Sequence, residues 1–525
     1  MPATEGASAR DPVLEAEGLT VVAGGRRLLA GVSFRIGRGE VVLLGAPSGS
    51  GKTVLLKIIS GLITAATPGF LIEGHLAVDG VDVLAADGAR RARGRVGLVF
   101  QDHALLEGGT VGSNLRFALD HRAAPPAAGT VRALGRALAK EFGLDPGLKI
   151  RELSGGQRQR AALARTLAFE PEILAYDEPT SGLDPANRER VARRIRSTNE
   201  EHGTTSLVVT HDLSGLLQVV DRVLLIDPET GRLESVVPEE ALERIRALRT
   251  PPPVLPSRRG WRPVVRALAG VLASTTRAAE GLVLAAAHLV PRWRSARWGL
   301  HFLLGYLRLL AGPAALVYFA VAGLVVGFVA TYFTFRFLPY RQYTEPLILD
   351  DLIGAVGFGL HRILVPLIVT ILLAARAGAA IAADVGGRVA GHQIDAMHSL
   401  GAPARRYLLT GVLWAILLAT PVIAVIAYLA ARLASAAVFA AMAPELSMHY
   451  WEQTFHRLLY EGTGWVAAKY LVSAFLVGAV AYFRGAAPKA SPEDVAREIP
   501  FAVVLASLLV LLVQVGFALV EFRPL

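Results

Sequence analysis

Cysteine is absent from the 525 residues. That excludes disulfides and thiolate metal sites, and it leaves the redox compartment unread. Charge is thin as well, at 19% of residues against 53% hydrophobic, with a mean hydropathy of +0.45. Such a balance excludes a disordered or fibrous chain and is too apolar for an ordinary soluble enzyme. Bases most outnumber acids in one place: residues 251–300 hold eight arginines and only Glu280. Residues 1–250 balance 31 bases against 31 acids, and residues 301–525 carry 15 against 12. Most of the net charge of +10 therefore gathers in a short stretch ahead of the apolar half. That placement suits anionic lipid head groups, and no nucleic-acid partner is expected. Met1–Pro12 is polar and lacks the apolar core of a signal peptide, so the first half is expected to stay in the cytoplasm.

Residues 13–235 alternate short apolar runs with helical patterns, as a mixed α/β domain does. Val41–Leu44, Val96–Phe100, Ile173–Tyr176, Ser206–Val209 and Val223–Ile226 read as buried strands. Thr250–Ser257 contains four prolines and marks a boundary. In 261–310, Trp261, Val264, Val265, Leu268 and Leu272 mix with Arg262, Arg266 and Arg277, a pattern that predicts a helix lying in the membrane interface. Beyond it, five apolar runs are long enough to cross a bilayer, which takes about 20 residues each: 313–335, 357–383, 407–431, 464–483 and 501–520. Arg376 interrupts the second and Lys469 lies near the start of the fourth. The loops 384–406 and 484–500 carry Arg388, Arg405, Arg406, Arg484, Lys489 and Arg497, a mild positive-inside signal for the side of the first domain.

Val41–Thr53 reads as a strand, a Gly-rich turn and a helix start. Backbone N–H groups of such a turn, here Pro47-Ser48-Gly49-Ser50-Gly51-Lys52-Thr53, cradle phosphate oxygens at the helix N-terminus. Lys52 would neutralise the β- and γ-phosphates, and Thr53 would offer its hydroxyl to Mg²⁺. Ala46 stands where the strict pattern has its first glycine.

Further along come Gln101 after a strand, Leu153-Ser-Gly-Gly-Gln157, Ile173-Leu-Ala-Tyr-Asp-Glu-Pro179, Ser181-Gly-Leu-Asp184 and His211. Order, spacing and residue types together resemble the ATP-binding-cassette (ABC) ATPase family across this whole region. The resemblance implies ATP and Mg²⁺ as ligands, with Thr53, Gln101 and Asp177 at the metal. It implies that Glu178 polarises the attacking water and that His211 contacts the γ-phosphate. It also implies that Ser154 and Gly156 meet the γ-phosphate of a second copy's ATP, so one cassette must pair in a homodimer, and that Gly155, Gln157 and Asp184 belong to the nucleotide-binding residues. No aromatic stands in Val21–Gly24, where the family stacks adenine.

In the apolar half, Arg376–Gly386, Gln393-Ile-Asp-Ala-Met397, Leu400–Pro403 and Arg406–Leu408 resemble the permease of the Mla-type lipid ABC transporters, which work with MCE-domain proteins. The resemblance implies an α/β P-loop ABC ATPase domain followed by an all-α polytopic membrane domain of about five spans. The expected division is 1–245 for the ATPase, 246–312 for linker and interfacial helix, and 313–525 for the permease. The implied activity is ATP-driven transport of lipid, with phospholipid the expected cargo, in a bacterial inner membrane. Gln393, Ile394 and Asp395 are expected to couple the ATPase to the permease. Arg376 reads as a ligand for a lipid head group, or as a residue that snorkels or pairs with Asp384. A G-type exporter half, or a membrane ATPase that transmits force without moving a substrate, remain alternatives.

Overall fold

The computed structural model describes residues 11–47, 49–85, 87–213, 215–247, 280–337, 341–457, 463–488 and 492–522, without the side chains of 341–347 and 492. The linker segment with Trp261 to Arg277 lies outside the described residues, as do Ser48 and Lys489. The chain folds as two compact units, 1–258 with 391–403 and 259–390 with 404–525.

The first unit contains two sheets. The larger has strands β3 (Val41–Gly45), β6 (Val96–Val99), β7 (Ile173–Asp177), β8 (Thr205–Thr210), β9 (Arg222–Ile226) and β10 (Leu233–Val236), in the order β10-β9-β3-β8-β7-β6. All pairs from β9 to β6 are parallel, and β3, β6, β7 and β8 are buried throughout. Parallel strands covered on both faces need unbroken apolar runs, which is why these five strands were readable. The other sheet is antiparallel, order β2-β1-β4-β5, from β1 (Pro12–Ala23), β2 (Arg26–Gly37), β4 (Phe70–Val78) and β5 (Val81–Asp82). The sequence reading names no strand before Val41. Repeated register shifts in the β1–β2 pair break the two-residue alternation that would have marked it.

Among the described residues, seven helices accompany these strands: α1 (Lys52–Ile59), α2 (Gly88–Ala92), α3 (Val111–Asp120), α4 (Ala128–Glu141), α5 (Gly155–Leu167), α6 (Pro185–His202) and α7 (Pro238–Ala247). Some of their starts are written in the sequence. Ser154 caps α5 reciprocally with Gln157, and Asp184 caps α6 ahead of Pro185.

The second unit is helical: α8 (Ala296–Ala311), α9 (Pro313–Arg336), α10 (Arg341–Gly359) and α11 (Val365–Ala390) precede the 391–403 segment, whose own helix is α12 (Gln393–Ser399). After it come α13 (Ala404–Met442), α14 (Met448–Phe455), α15 (Thr463–Gly485) and α16 (Pro492–Glu521). Among the described residues, five stretches are long and apolar enough to cross a membrane. A π-helical turn, Leu360–Leu364, joins α10 to α11 just before Pro366, which has no N–H to donate. Arg388 lies at the end of α11 and Arg405 and Arg406 at the start of α13, so these helices extend into the stretch read as the loop 384–406.

Packing inside this unit depends on small residues and on one buried charge cluster. A Cβ on Gly323 or Gly327 would lie 2.1 or 2.0 Å from the carbonyl oxygens of Ala427 and Ala431, so α9 and α13 touch backbone to backbone. Thr331 and Ser435 add a hydrogen bond of 2.8 Å across the same seam. Lys469, the charge that looked out of place in the fourth span, meets the buried Glu521 at 2.5 Å, and Arg362 holds the other carboxylate oxygen at 2.7 Å.

Candidate functional site: a nucleotide cradle at the strand ends

Four neighbouring strands, β3, β8, β7 and β6, end on one edge of the larger sheet, and each delivers one part of the site there. Such an edge is where open α/β sheets bind ligands. From β3 the chain turns through Gly49 (φ 77°) and Gly51 (φ 92°) into α1. At Gly51 that φ disfavours any side chain, and a Cβ would press on Leu28 at 3.0 Å. Ala46 is fully buried in the core cluster and is not at positive φ, so its methyl group is accommodated where the pattern has glycine.

Lys52 is buried, and its ammonium donates to the carbonyls of Ala46 (2.8 Å) and Pro47 (3.0 Å). It lies 3.7 Å from Glu178. Burial pulls its pKa down, against the opposing pull of Glu178 and Asp177. The Thr53 hydroxyl donates to Asp177 Oδ1 at 3.0 Å. Burial raises the Asp177 pKa, and the Thr53 hydrogen bond partly offsets it. Glu178 follows with φ 49°, a left-handed conformation uncommon for a residue with a side chain. This turn brings Oε2 to 2.8 Å from His211 Nδ1 and 3.1 Å from the Thr210 hydroxyl. One carboxylate thus bridges the lysine of the loop and the histidine after β8.

Gln101 is exposed after β6, and the Phe100 ring before it stacks on His392 at 5.7 Å. Ser154, Gly155 and Gly156 are exposed at the N-terminus of α5. Among the described residues, no hydrogen bond or ion pair joins Ser154–Gln157 to Lys52, Thr53, Asp177, Glu178 or His211. Asp184 is exposed and accepts from Asn187 N at 3.0 Å, and these hydrogen bonds hold its pKa below the ordinary value.

The residues fit a magnesium nucleotide. Glycines in the required backbone conformation, a buried ammonium, and a hydroxyl bonded to a carboxylate converge at one helix start. Residues 29–181 match the family model described as ABC transporter, and residues 309–520 match the one described as Permease MlaE. The chain carries an ABC-transporter ATPase domain followed by an MlaE-like permease domain. The cassette is 38% identical over 228 residues to the methionine import ATP-binding protein MetN of Caulobacter vibrioides, covering 43% of this chain and 65% of that one. It is 43% identical over 237 residues to the sulfate/thiosulfate import ATP-binding protein CysA of Bordetella bronchiseptica, covering 44% and 64%. The match thus spans under two thirds of each relative's length. Among solved structures, cbiO1 from Clostridium perfringens, part of an ABC transporter complex, is 26% identical with a TM-score of 0.40, covering 45% of this chain and 93% of that one.

The cassette's compact unit also takes in the segment 391–403, which the sequence places between two spans of the permease. Ala396 is buried in the same apolar cluster as Val96, Leu98 and Phe100. Asp395 pairs with Lys57 at 2.9 Å and with His392 at 3.2 Å. Burial alone would raise the Asp395 pKa, but His392 and Lys57 outweigh it and hold the carboxyl at about 2. Gln393 is buried beside it. Lys57 escaped the sequence reading, which saw Phe100 only as the end of a buried strand. The one available signal was position, since Lys57 lies one helical turn beyond Thr53.

Arg376 is half-buried and donates to the carbonyl of Leu310 at 3.1 Å, near the C-terminus of α8. Asp384 is not its partner: Arg388 (2.7 Å) and the Tyr306 hydroxyl (2.8 Å) hold that carboxylate.

Proposed function

We propose that this protein is an ATP-driven lipid transporter, with phospholipid as cargo and two copies of the chain as the working unit. Its ATPase domain would face the cytoplasm, and an MCE-type protein would receive or supply lipid on the far side of the inner membrane. The observation that carries the motor half is the bridging position of Glu178, between Lys52 on the phosphate loop and His211 after β8. A carboxylate there accepts a proton from a water aimed at the terminal phosphate. His211 orients it, Lys52 neutralises phosphate charge, and Thr53 and Asp177 would hold Mg²⁺. Bound magnesium would supply charge neutralisation across the phosphates.

Lys57 supports a route for coupling. It lies on the helix that begins with the phosphate loop, and it grips Asp395 of the permease-derived segment. A shift of α1 on nucleotide binding would therefore pull on 391–403 directly. The lipid cargo rests on the likeness of 309–520 to Permease MlaE. The relatives' names concern methionine and sulfate import, and their matches cover 43–44% of this chain, so they bear on the motor.

The deciding experiment is reconstitution in vesicles carrying fluorescent phospholipid. Lipid transfer that needs ATP and is lost in Glu178→Gln is expected. ATPase activity stimulated by methionine or sulfate, with no lipid transfer, would overturn the cargo.

A further inference from the structure

Between Glu280 and Glu345 the sequence contains no acid, and neither does 396–444. The fold brings these two acid-free stretches together. The Trp414 indole donates to the carbonyl of Leu289 at 2.8 Å, and Thr410 donates to that of His288 at 3.1 Å. Further along, the Trp293 indole donates to the Arg406 carbonyl at 3.1 Å, and Ser295 N donates to the Tyr407 hydroxyl at 3.0 Å. Residues 288–295 therefore run alongside the first turns of α13. Gly299 allows the close fit, since a Cβ there would lie 2.0 Å from the Trp293 ring.

Trp293 of this strap thus bonds to the start of α13, and Trp414 of α13 bonds back to the strap. Arg292, Arg294 and Arg297 are exposed on it, and Arg405 and Arg406 are exposed on the adjoining helix start. Asp384 of the neighbouring α11 is held by Arg388 at 2.7 Å and by the Tyr306 hydroxyl at 2.8 Å. Tryptophan and arginine held together at the end of a membrane span match the level of lipid head groups, where the indole rests at the interface and the guanidinium reaches phosphate. Guanidinium groups suit a phosphodiester because each can donate two hydrogen bonds to it.

We propose that this Trp–Arg strap is a binding site for anionic phospholipid of the surrounding leaflet, distinct from the transported cargo. The proposal requires a membrane setting and does not rest on the lipid-transport reading. Each arginine adds roughly fivefold to the local preference for an anionic lipid over a zwitterionic one.

The full chain is placed in nanodiscs of phosphatidylcholine and phosphatidylglycerol in equal parts, extracted, and weighed intact by native mass spectrometry. The parent chain should retain phosphatidylglycerol in preference. Arg292→Gln/Arg294→Gln/Arg297→Gln should lose that preference by on the order of tenfold or more. The corresponding triple lysine variant should keep most of it. If the glutamine triple fails to fold, Arg405→Gln/Arg406→Gln is read on the same scale. A parent chain without preference overturns the site, as does a neutralised variant with undiminished preference. Preference lost in Arg376→Ala but kept in the strap variants would place the lipid elsewhere and overturn it too.

Discussion

Glu178 shows how much a single backbone angle contributes. Its left-handed conformation costs on the order of 1–3 kcal/mol for a residue with a side chain, and residues held in that way cluster at functional sites. Here the turn allows one carboxylate to meet Thr210 and His211 on the neighbouring strand end. Glu178→Gln preserves the shape and removes the base, so nucleotide binding should persist while phosphate release falls at least about 100-fold. Equal phosphate release from variant and parent would remove Glu178 from that role. The residue types of the cradle were legible in the sequence because a phosphate loop needs its glycines, lysine and threonine at fixed spacing. Glu178's backbone angle was not legible, since nothing local in Asp-Glu-Pro requires it. Neither was Lys57, a lone lysine on a helix whose partner Asp395 is 338 residues away.

Among the elements, the contacts of the short helix α12 with the cassette include apolar burial of Ala396, the stack of His392 on Phe100 and the partly exposed Lys57–Asp395 pair. The pair's exposure limits its coupling with Lys57 to about 1 kcal/mol or less in a double-mutant cycle. Because the folded Asp395 carboxyl is depressed to about 2, its contribution is present above the unfolded value of about 3.9 and is lost as pH falls from there toward 2. Hydrogen exchange in 391–403 should therefore rise across that acid window in the parent chain. In Asp395→Asn it should already be raised at neutral pH. Exchange that is identical in the two chains would show that the pair holds nothing. In the membrane unit, Glu521 balances both Arg362 and Lys469. Glu521→Gln leaves two buried cations without their anion, a loss of about 3–5 kcal/mol by analogy with broken buried pairs. Loss of folded protein in detergent is the expected result, with partial recovery when Arg362 and Lys469 are also made apolar. A stable Glu521→Gln chain would show that water already reaches the cluster. The sequence exposed the five apolar runs because bilayer thickness sets a minimum length. It could not reveal this cluster, whose members lie on the π-turn, α15 and the end of α16. The antiparallel sheet was hidden for a different reason, the bulges that break its alternation.

For the molecule as a whole, the open question is how many chains make one catalytic site. Ser154, Gly155 and Gly156 present exposed backbone at the start of a 13-residue helix, where N–H groups and the helix dipole favour an anion. Within the chain, no described hydrogen bond or ion pair ties them to the cradle of Lys52, Thr53 and Glu178. On the two-copy reading proposed above, a phosphate held by both sets lies between two copies, each supplying one set. Ser154→Arg would fill the helix start with a bulky cation of its own, while Lys52→Ala empties the cradle of its ammonium. Each variant alone should be inactive. Co-expressed, they should form mixed dimers in which the parent-type cradle of one chain faces the parent-type Ser154 of the other. Such a dimer has one intact site and one doubly damaged site, so ATPase activity should reappear only in the mixture. Activity from either variant alone, or from a solubilised single chain, would assign the whole reaction to one cassette and remove the need for a partner copy.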